Sequence, residues 1–166
     1  MTIYTIGHSH IAIERFVDLL RLHLIHVLVD TRSQPYSRYA PQFNRGSLKT
    51  SLQQAGITYL YLGDQLGGRP KSAQYYLPNG KVDYDRLEET PLYREGLERL
   101  KHAAEGHRLA IMCGEADYQN CHRYNLISRS LVKHGVEVHH ILHSGDLAQT
   151  HPEEFRSEPR QLGLSF

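Results

Sequence analysis

The stretch Arg108-Leu-Ala-Ile-Met-Cys113-Gly-Glu115-Ala-Asp117-Tyr-Gln-Asn120-Cys121-His122-Arg123 joins an apolar run to a group of reactive side chains. The run at 109–112 is short, continuous and apolar, which is typical of a buried strand. A polar loop follows, and asparagine is a common helix cap, so Asn120 predicts a helix that begins at Cys121. Two thiols, two carboxylates, a histidine and an arginine therefore follow the end of one predicted strand.

Strands and helices alternate on both sides of this stretch. Short apolar runs predict further strands at 3–6, 27–29, 57–62 and 136–142. Helical spacing, caps and glycine stops predict helices at 11–23, 44–56, 90–106 and 120–135. This alternation favours an α/β fold, and we predict a three-layer Rossmann-like domain with a mostly parallel sheet of about five strands.

The length of the chain and its irregular segments set limits on domain organisation. The 166 residues predict a single domain over 1–166, with a core at about 3–142 and a tail at 143–166 that packs loosely or is partly disordered. The segment 63–81 has no clear period and predicts a long irregular excursion over one face.

Charge and hydropathy exclude some classes of partner. The formal net charge of +1 gives no overall field that would attract nucleic acid or acidic membranes. No apolar run is long enough to span a bilayer, and the first residues lack the layout of a signal peptide. Two cysteines fit a reducing compartment, so we expect a cytoplasmic protein without a membrane partner.

Polar side chains follow four of the five predicted strands. Ligands of parallel α/β sheets bind beyond the carboxyl ends of the strands, so we expect these side chains to meet at one edge. They are His8 and His10 after the first strand, Asp30 and Arg32 after the second, Cys113 and Glu115 after the fourth, and His143 after the last.

The predicted helix start at Cys121 suits an anion, because the first helical turn leaves amide hydrogens unpaired. The same position lowers the pKa of a thiol, which makes Cys121 a candidate nucleophile. The alternative is a buried cysteine that packs as a small apolar group, and the same alternative applies to Cys113.

Two further groups suit an anionic ligand. The loop 32–38 holds Arg32, Ser37 and Arg38, and the planar guanidinium matches phosphate or carboxylate; an ordinary solvated loop is the alternative. Glu115 is a candidate general base, or it holds Arg32 or Arg38 in an ion pair, and a purely structural ion pair is an equal alternative.

Metal binding and base stacking are weaker interpretations. The twelve histidines include no His-Glu-x-x-His or paired Cys-x-x-Cys pattern, so we predict no metal site and can name no cofactor. Some tyrosines offer stacking faces to bases or, alternatively, are half-buried packing residues: Tyr59, Tyr61, Tyr75, Tyr76 and Tyr118.

Motifs along nearly the whole chain resemble one family, the domain of unknown function 488. They are Thr5-Ile-Gly-His-Ser9, Asp30-x-Arg32 with Pro35 and Ser37-Arg38, Phe43, Gly56-Ile-x-Tyr59, Leu62-Gly63, Leu66-Gly67-Gly68, Met112-Cys113-x-Glu115, Cys121-His122-Arg123 and Val138-x-His140-Ile141. The resemblance implies a compact bacterial or archaeal cytoplasmic α/β protein and brings no established activity. Its signature singles out His8, Ser9, Asp30, Arg32, Ser37, Arg38, Glu115, Cys121, His122 and Arg123.

A second, architectural resemblance is to rhodanese-like sulfurtransferases and cysteine phosphatases. It rests on Cys113 at a strand end and on Asp30-x-Arg32. The next arginine after Cys113 is Arg123, and two carboxylates stand between them, which departs from the anion loop of those families.

These residues predict an enzyme, or a ligand-handling domain with an enzyme-like site, that acts on an anionic small molecule or a nucleotide. Arg32, Arg38 and Arg123 would hold the anion, assisted by Ser9, Asp30, Ser37 and His122. His8 and Glu115 would transfer protons. Replacing Glu115 or Arg32 should then abolish ligand binding with little loss of folding.

Two alternatives come from other classes of protein. One is a nucleic-acid-binding module that grips a backbone with 32–45 and 63–81, although the near-neutral charge opposes it. The other is a sulfur-transfer or redox protein that uses Cys113 and Cys121. The oligomeric state, the cofactor and the reaction stay open at this level.

Overall fold

The computed structural model describes residues 1–156, and a six-stranded sheet organises them. The strands are β1 (Thr2–Gly7), β2 (Val27–Asp30), β3 (Thr58–Tyr61), β4 (Leu109–Cys113), β5 (Glu137–Ile141) and β6 (Leu147–Thr150). Their order is β3-β2-β4-β1-β5-β6, and all neighbours are parallel except β5 and β6. The predicted α/β class and Rossmann-like architecture are confirmed, with one strand more than expected.

Helices cover both faces of this sheet. They are α1 (Ile13–Leu22), α2 (Arg45–Gln54), α3 (Gly63–Leu66), α4 (Tyr84–Glu88), α5 (Pro91–Gly106) and α6 (Arg129–Lys133). The predicted start of α5 is confirmed, because the Thr90 hydroxyl accepts a hydrogen bond from the amide of Tyr93 at 3.2 Å. Gly56 follows α2 at φ 75°, and Gly135 follows α6 at φ 80°, as expected for residues that end helices.

The core consists of two apolar layers because successive side chains of a strand point to opposite faces. Central strand β4 is buried along its whole length. Leu109 and Ile111 face a layer that includes α5 and the helical segment 123–133. Ala110 and Met112 face the opposite layer, which includes α1 and α2. This arrangement explains why the run at 109–112 is apolar without alternation.

The helix predicted to begin at Cys121 begins later and in another form. Tyr118–Asn120 is a 3-10 turn, and a π-helix, Arg123–Ser128, continues directly into α6. Asn120 is not a cap, because its side-chain amide donates to the carboxylate of Asp117 at 3.0 Å. Asn44 precedes α2 but does not cap it with its side chain, which accepts from the Ser37 amide at 2.7 Å. In both cases a nearer partner takes the asparagine side chain.

The tail prediction is wrong for 143–156. Residue Gly145, at φ 97°, turns the chain so that β6 pairs antiparallel with β5, and a 3-10 turn, Pro152–Phe155, follows. The rest of the predicted tail, 157–166, lies outside the described residues. Strand β6 was missed because Leu-Ala-Gln-Thr has little alternation, and pairing with β5 rather than local pattern defines it.

The segment 63–81 is less irregular than predicted. It holds α3, a 3-10 turn at Ala73–Tyr75 and one residue of an isolated bridge between Tyr76 and Val82. Buried Leu66 joins the same apolar layer as α5. Across residues 1–156, no helix combines the length and the apolar character that crossing a membrane requires.

Candidate functional site

A cleft of about 520 Å³ opens where the central strands end. Parallel strands point the same way, so the residues that follow β1, β2 and β4 share this edge of the sheet. Of the ten residues that the family signature singles out, seven line the cleft: His8, Ser9, Arg32, Ser37, Glu115, Cys121 and His122. His10 and Cys113, which also follow predicted strands, line it too, whereas His143 is not among its lining residues. Asp30, Arg38 and Arg123 are not among its lining residues.

Asp30 and Arg32 form a buried ion pair at the end of β2. Arg32 donates from Nε and Nη2 to the two carboxylate oxygens, at 2.9 and 2.8 Å. The Tyr59 hydroxyl also donates to Asp30, at 2.5 Å, and burial together with this hydrogen bond raises the pKa of Tyr59. Asp30 is completely buried, so it orients Arg32 from behind the cleft and does not face a ligand.

The Arg32 guanidinium is fixed by four side-chain hydrogen bonds. Besides its two bonds to Asp30, Nη2 donates to the Phe43 carbonyl at 2.8 Å, and Nη1 donates to His8 Nε2 at 3.3 Å. A guanidinium carries five N–H groups. One N–H of Nη1 therefore has no acceptor within the described part of the chain, and Arg32 lines the cleft.

His8 is held neutral by its neighbours. Its Nδ1 lies 2.6 Å from the Ser9 carbonyl, so Nδ1 carries the hydrogen and Nε2 is the acceptor for Arg32. Burial, with the adjacent positive charge of Arg32, lowers the pKa of His8 to about 4. The ring also stacks on Phe43 at 4.6 Å between centroids. Its Nε2 lone pair is thus already occupied.

His122 reaches across the cleft to the end of β2. Its Nε2 lies 3.0 Å from the Thr31 carbonyl and must carry the hydrogen, which leaves Nδ1 as an acceptor. Burial lowers the pKa of His122 to about 4, so the ring is neutral at physiological pH. A Cβ on Gly68 would approach the His122 ring within 3.0 Å, so the absence of a side chain at position 68 leaves room for this ring.

Arg123 lies behind the cleft wall and is only 1% exposed. Its Nη2 donates to the carbonyls of Glu115 and Ala116, at 2.9 and 3.0 Å. Its Nη1 donates to the Thr5 hydroxyl at 3.2 Å, and Nε has no partner among the described residues. Burial lowers the pKa of Arg123 to about 10, and the guanidinium stays charged at neutral pH. This placement directs the side chain to the loop after β4.

A line of buried polar groups extends from Arg123 to the edge of the sheet. The Thr5 hydroxyl lies 2.6 Å from His140 Nδ1 and accepts from Arg123. Because arginine cannot accept, His140 Nδ1 is the acceptor left among these partners for the Thr5 hydroxyl hydrogen. His140 Nε2 then donates to the Thr150 hydroxyl at 2.5 Å. Burial, followed by the nearby Arg123 charge, lowers the pKa of His140 to about 3. The line connects the cleft wall to β6.

Cys113 and Cys121 form a disulfide in the cleft wall. The backbone amide of Arg123 donates to the Cys121 sulfur at 3.3 Å. Neither sulfur is a thiol in this state, so a nucleophilic Cys121 would first require reduction. Local pattern did not predict this pairing, because the seven residues of polar loop at 114–120 separate the two cysteines.

The remaining predicted residues differ in their surroundings. Glu115 is exposed and lines the cleft, but it forms no ion pair within residues 1–156, so the predicted pairing with Arg32 or Arg38 is wrong. Arg32 pairs with Asp30 instead because Asp30 is nearer and buried. Arg38 is exposed outside the cleft. Ser9 adopts φ 47° and its amide donates to the Gly114 carbonyl at 2.9 Å.

Several cleft residues were not found from the sequence. Arg69 is exposed at the cleft, and its backbone amide donates to the Ser33 hydroxyl at 3.0 Å. Tyr36 and Tyr39 line the cleft and are 70% and 87% exposed. The Gly-Gly-Arg sequence at 67–69 was the one available signal for Arg69, since glycines allow close approach of chain segments.

The tyrosines predicted as stacking platforms have other partners. Tyr59 and Tyr61 donate to Asp30 and to the Arg32 carbonyl, and Tyr118 stacks on His140 at 3.8 Å. None of the five predicted tyrosines lines the cleft. Metal-binding groups of three or more histidine, cysteine or acidic side chains are also absent from the described residues.

Three histidines with lowered pKa values predict a steep loss of stability in acid. His8, His122 and His140 have folded-state pKa values below the ordinary 6.5, so protons bind the unfolded chain first as the pH falls. Their stabilising contribution is present above pH 6.5 and disappears as the pH falls from 6.5 towards 4. Each group should add a slope of about 1.4 kcal/mol per pH unit to the free energy of unfolding.

Urea titrations between pH 7 and pH 4.5 measure this slope. His140→Gln should lower the slope by the contribution of one histidine, about 1.4 kcal/mol per pH unit. His102→Gln is the matched control, because His102 is 87% exposed and should leave the slope unchanged. Equal slopes for the parent and His140→Gln would contradict the assignment of a buried, neutral His140.

Comparisons with known proteins bear on the chain as a whole. The model of the family described as Domain of unknown function DUF488 matches residues 12–130. No match was found among curated proteins or among solved structures. The matched segment includes Asp30, Arg32, Glu115 and 121–123, and it covers most of the 166 residues. The chain therefore belongs to the family Domain of unknown function DUF488.

Proposed function

We propose that the cleft binds the phosphate or carboxylate group of an anionic small molecule, with a nucleotide as the favoured class, in an enzyme-like site. The arrangement of Arg32 carries this proposal. Its guanidinium is held by Asp30, Phe43 and His8, and it keeps one N–H without an acceptor among residues 1–156. A fixed, charged donor binds an anion without losing side-chain entropy.

Other groups at the cleft support an anion with an aromatic base. Arg69 adds an exposed guanidinium, and the amides of Gly114 and Glu115 donate to no acceptor within the described residues. Exposed Tyr36 and Tyr39 offer faces on which a base can stack. In this proposal His122 Nδ1 accepts a hydrogen bond from a hydroxyl of the ligand.

The proposal revises the roles of two predicted residues and keeps that of a third. His8 holds Arg32 and is not the base, because its lone pair is occupied and its pKa is lowered to about 4. Arg123 positions the loop after β4 through the Glu115 and Ala116 carbonyls. Glu115, an exposed carboxylate at the cleft, remains the candidate proton acceptor.

Calorimetric titration with inorganic phosphate and with adenosine monophosphate tests the anion site. Arg69→Gln should weaken the binding of both probes about tenfold, since a hydrogen bond to a charged group contributes about 1.5 kcal/mol. Glu115→Gln should tighten the binding of phosphate by up to about fivefold at low salt, because it removes a neighbouring negative charge.

Arg38→Gln is the matched control for Arg69→Gln. It removes the same charge from an exposed arginine that does not line the cleft, and it should leave both affinities within twofold, or about 0.4 kcal/mol. Equal weakening by the two substitutions would indicate general electrostatic attraction and contradict the site. Absence of binding by the parent protein would overturn the proposal itself.

Single-stranded nucleic acid is the second candidate ligand. The observation that favours it is that the stretches 32–45 and 63–81 both contribute to the same cleft, with Arg69 and exposed tyrosines. Contacts with several phosphates would make the affinity for an oligonucleotide fall steeply with salt. A mononucleotide that binds as tightly as an oligonucleotide, with little salt dependence, would exclude this candidate.

A further inference from the structure

We propose that the cleft contains a reversible redox site: Cys113 and Cys121 exchange between disulfide and dithiol with low-molecular-weight thiols that enter the cleft. This exchange changes the mobility of the cleft wall at 114–120. The inference does not require that the cleft bind an anion, because its evidence is the position of the two sulfurs and of the loop between them.

The position of the two sulfurs is the first support. Cys113 is the last residue of β4, and Cys121 precedes the π-helix, so the disulfide connects two rigid elements. Both residues line the cleft, although they are only 2% and 7% exposed. A thiol therefore has to approach through the cleft, and bulky proteins are kept away from the bond.

The surroundings of Cys121 are the second support. The Arg123 amide donates to the Cys121 sulfur at 3.3 Å, at the start of a helical segment. A donor at this place stabilises a thiolate, so Cys121 is the better leaving group of the pair.

The chemistry of reduction follows from this asymmetry. An incoming thiolate attacks the Cys113 sulfur, the bond between the cysteines breaks, and its electron pair stays on Cys121 as a thiolate. A second thiolate attacks the small-molecule sulfur of the mixed disulfide and releases Cys113 as a thiolate. One protein disulfide and two small thiols thus give two protein thiols and one small disulfide, and the reverse reaction uses a small disulfide as the oxidant.

The loop between the cysteines connects the redox state to the cleft. Residues 114–120 include Glu115 and Asn120, which line the cleft. With the disulfide intact, the two residues that flank this loop are covalently joined. After reduction the contacts that keep it in place include the two bonds from Arg123 and the bond from Asn125 Nδ2 to the Gln119 carbonyl, at 3.1 Å. Opening a covalent loop increases the freedom of its chain.

The native 166-residue protein in glutathione buffers tests the proposal. Samples poised at different ratios of reduced to oxidised glutathione are quenched in acid, alkylated with N-ethylmaleimide and weighed by mass spectrometry. We expect both cysteines to become alkylated together, with one midpoint that is the same from the reduced and the oxidised side. Cys121→Ser should leave Cys113 able to form a mixed disulfide with glutathione.

Hydrogen exchange of the two forms measures the effect on the cleft. Amides within 114–120 should exchange at least fivefold faster in the dithiol form, while amides of α5 should differ by less than twofold. Reduction that occurs only in urea would identify a structural disulfide and overturn the proposal. Native reduction with unchanged exchange at 114–120 would overturn the coupling to the cleft.

Discussion

Replacing Arg32 with alanine is expected to lower the free energy of unfolding by about 3–5 kcal/mol, the usual effect of removing one partner of a buried ion pair. Asp30 is fully buried, and without Arg32 its side-chain partners are the Tyr59 hydroxyl and the backbone amide at position 32. Urea denaturation at pH 7 measures the loss. The sequence alone predicted little loss of folding for this substitution, because it could not show that Arg32 neutralises a buried carboxylate.

Two further variants separate the ion pair from general effects of the loop. Arg38→Ala removes an exposed arginine six positions away and should change stability by no more than about 0.5 kcal/mol. Asp30→Asn in the Arg32→Ala background removes the uncompensated charge and should recover part of the stability. A loss below about 1 kcal/mol for Arg32→Ala would show that Asp30 is not a charged, buried partner.

Replacing Gly7 with alanine is the second substitution with a large expected effect, a loss of about 3 kcal/mol from overpacking. A Cβ at Gly7 would overlap the Glu115 carbonyl oxygen and lie 2.8 Å from Arg123 Nη2. Backbone cannot rotate away as a side chain can, so the loop after β4 would have to leave the end of β1. Thermal and urea denaturation measure the loss of stability.

Gly46→Ala is the matched control for this prediction. Gly46 lies in α2, and a Cβ there would meet no atom within 4 Å. Alanine in a helix is more favourable than glycine by up to about 1 kcal/mol, so this variant should be as stable as the parent or more stable. A Gly7→Ala variant as stable as Gly46→Ala would contradict the close approach of β1 to the 114–116 loop.

The sequence predicted those features that local pattern determines. Continuous apolar runs gave β2 and β4, helical spacing gave α1 and α5, and the rule for parallel sheets brought His8, Arg32, Glu115 and His122 to one cleft. These predictions succeeded because period and strand direction are properties of the chain itself.

Features that depend on tertiary partners were missed. Strand β6 exists through its pairing with β5, and the π-helix at 123–128 replaces a simple capped start at Cys121. The disulfide and the cleft position of Arg69 arise from how segments meet in space, which one sequence does not reveal. The sequence also could not show which arginines are buried. Arg123 was predicted to contact the ligand, but it is buried and donates to the Glu115 carbonyl instead.

The line of hydrogen bonds from Arg123 through Thr5 and His140 to Thr150 has a direction. Arg123 donates to the Thr5 hydroxyl, the hydroxyl donates to His140 Nδ1, and His140 Nε2 donates to Thr150. This order assigns one direction to the Thr5 hydroxyl hydrogen and one tautomer to the His140 ring. Replacing Thr150 with valine therefore removes the acceptor of His140 and allows its ring, and then the Thr5 hydroxyl, to reorient. Hydrogen bonds thus connect the outermost strand, through Arg123, to the Glu115 carbonyl beside the cleft, although 35 positions separate Thr150 from Glu115.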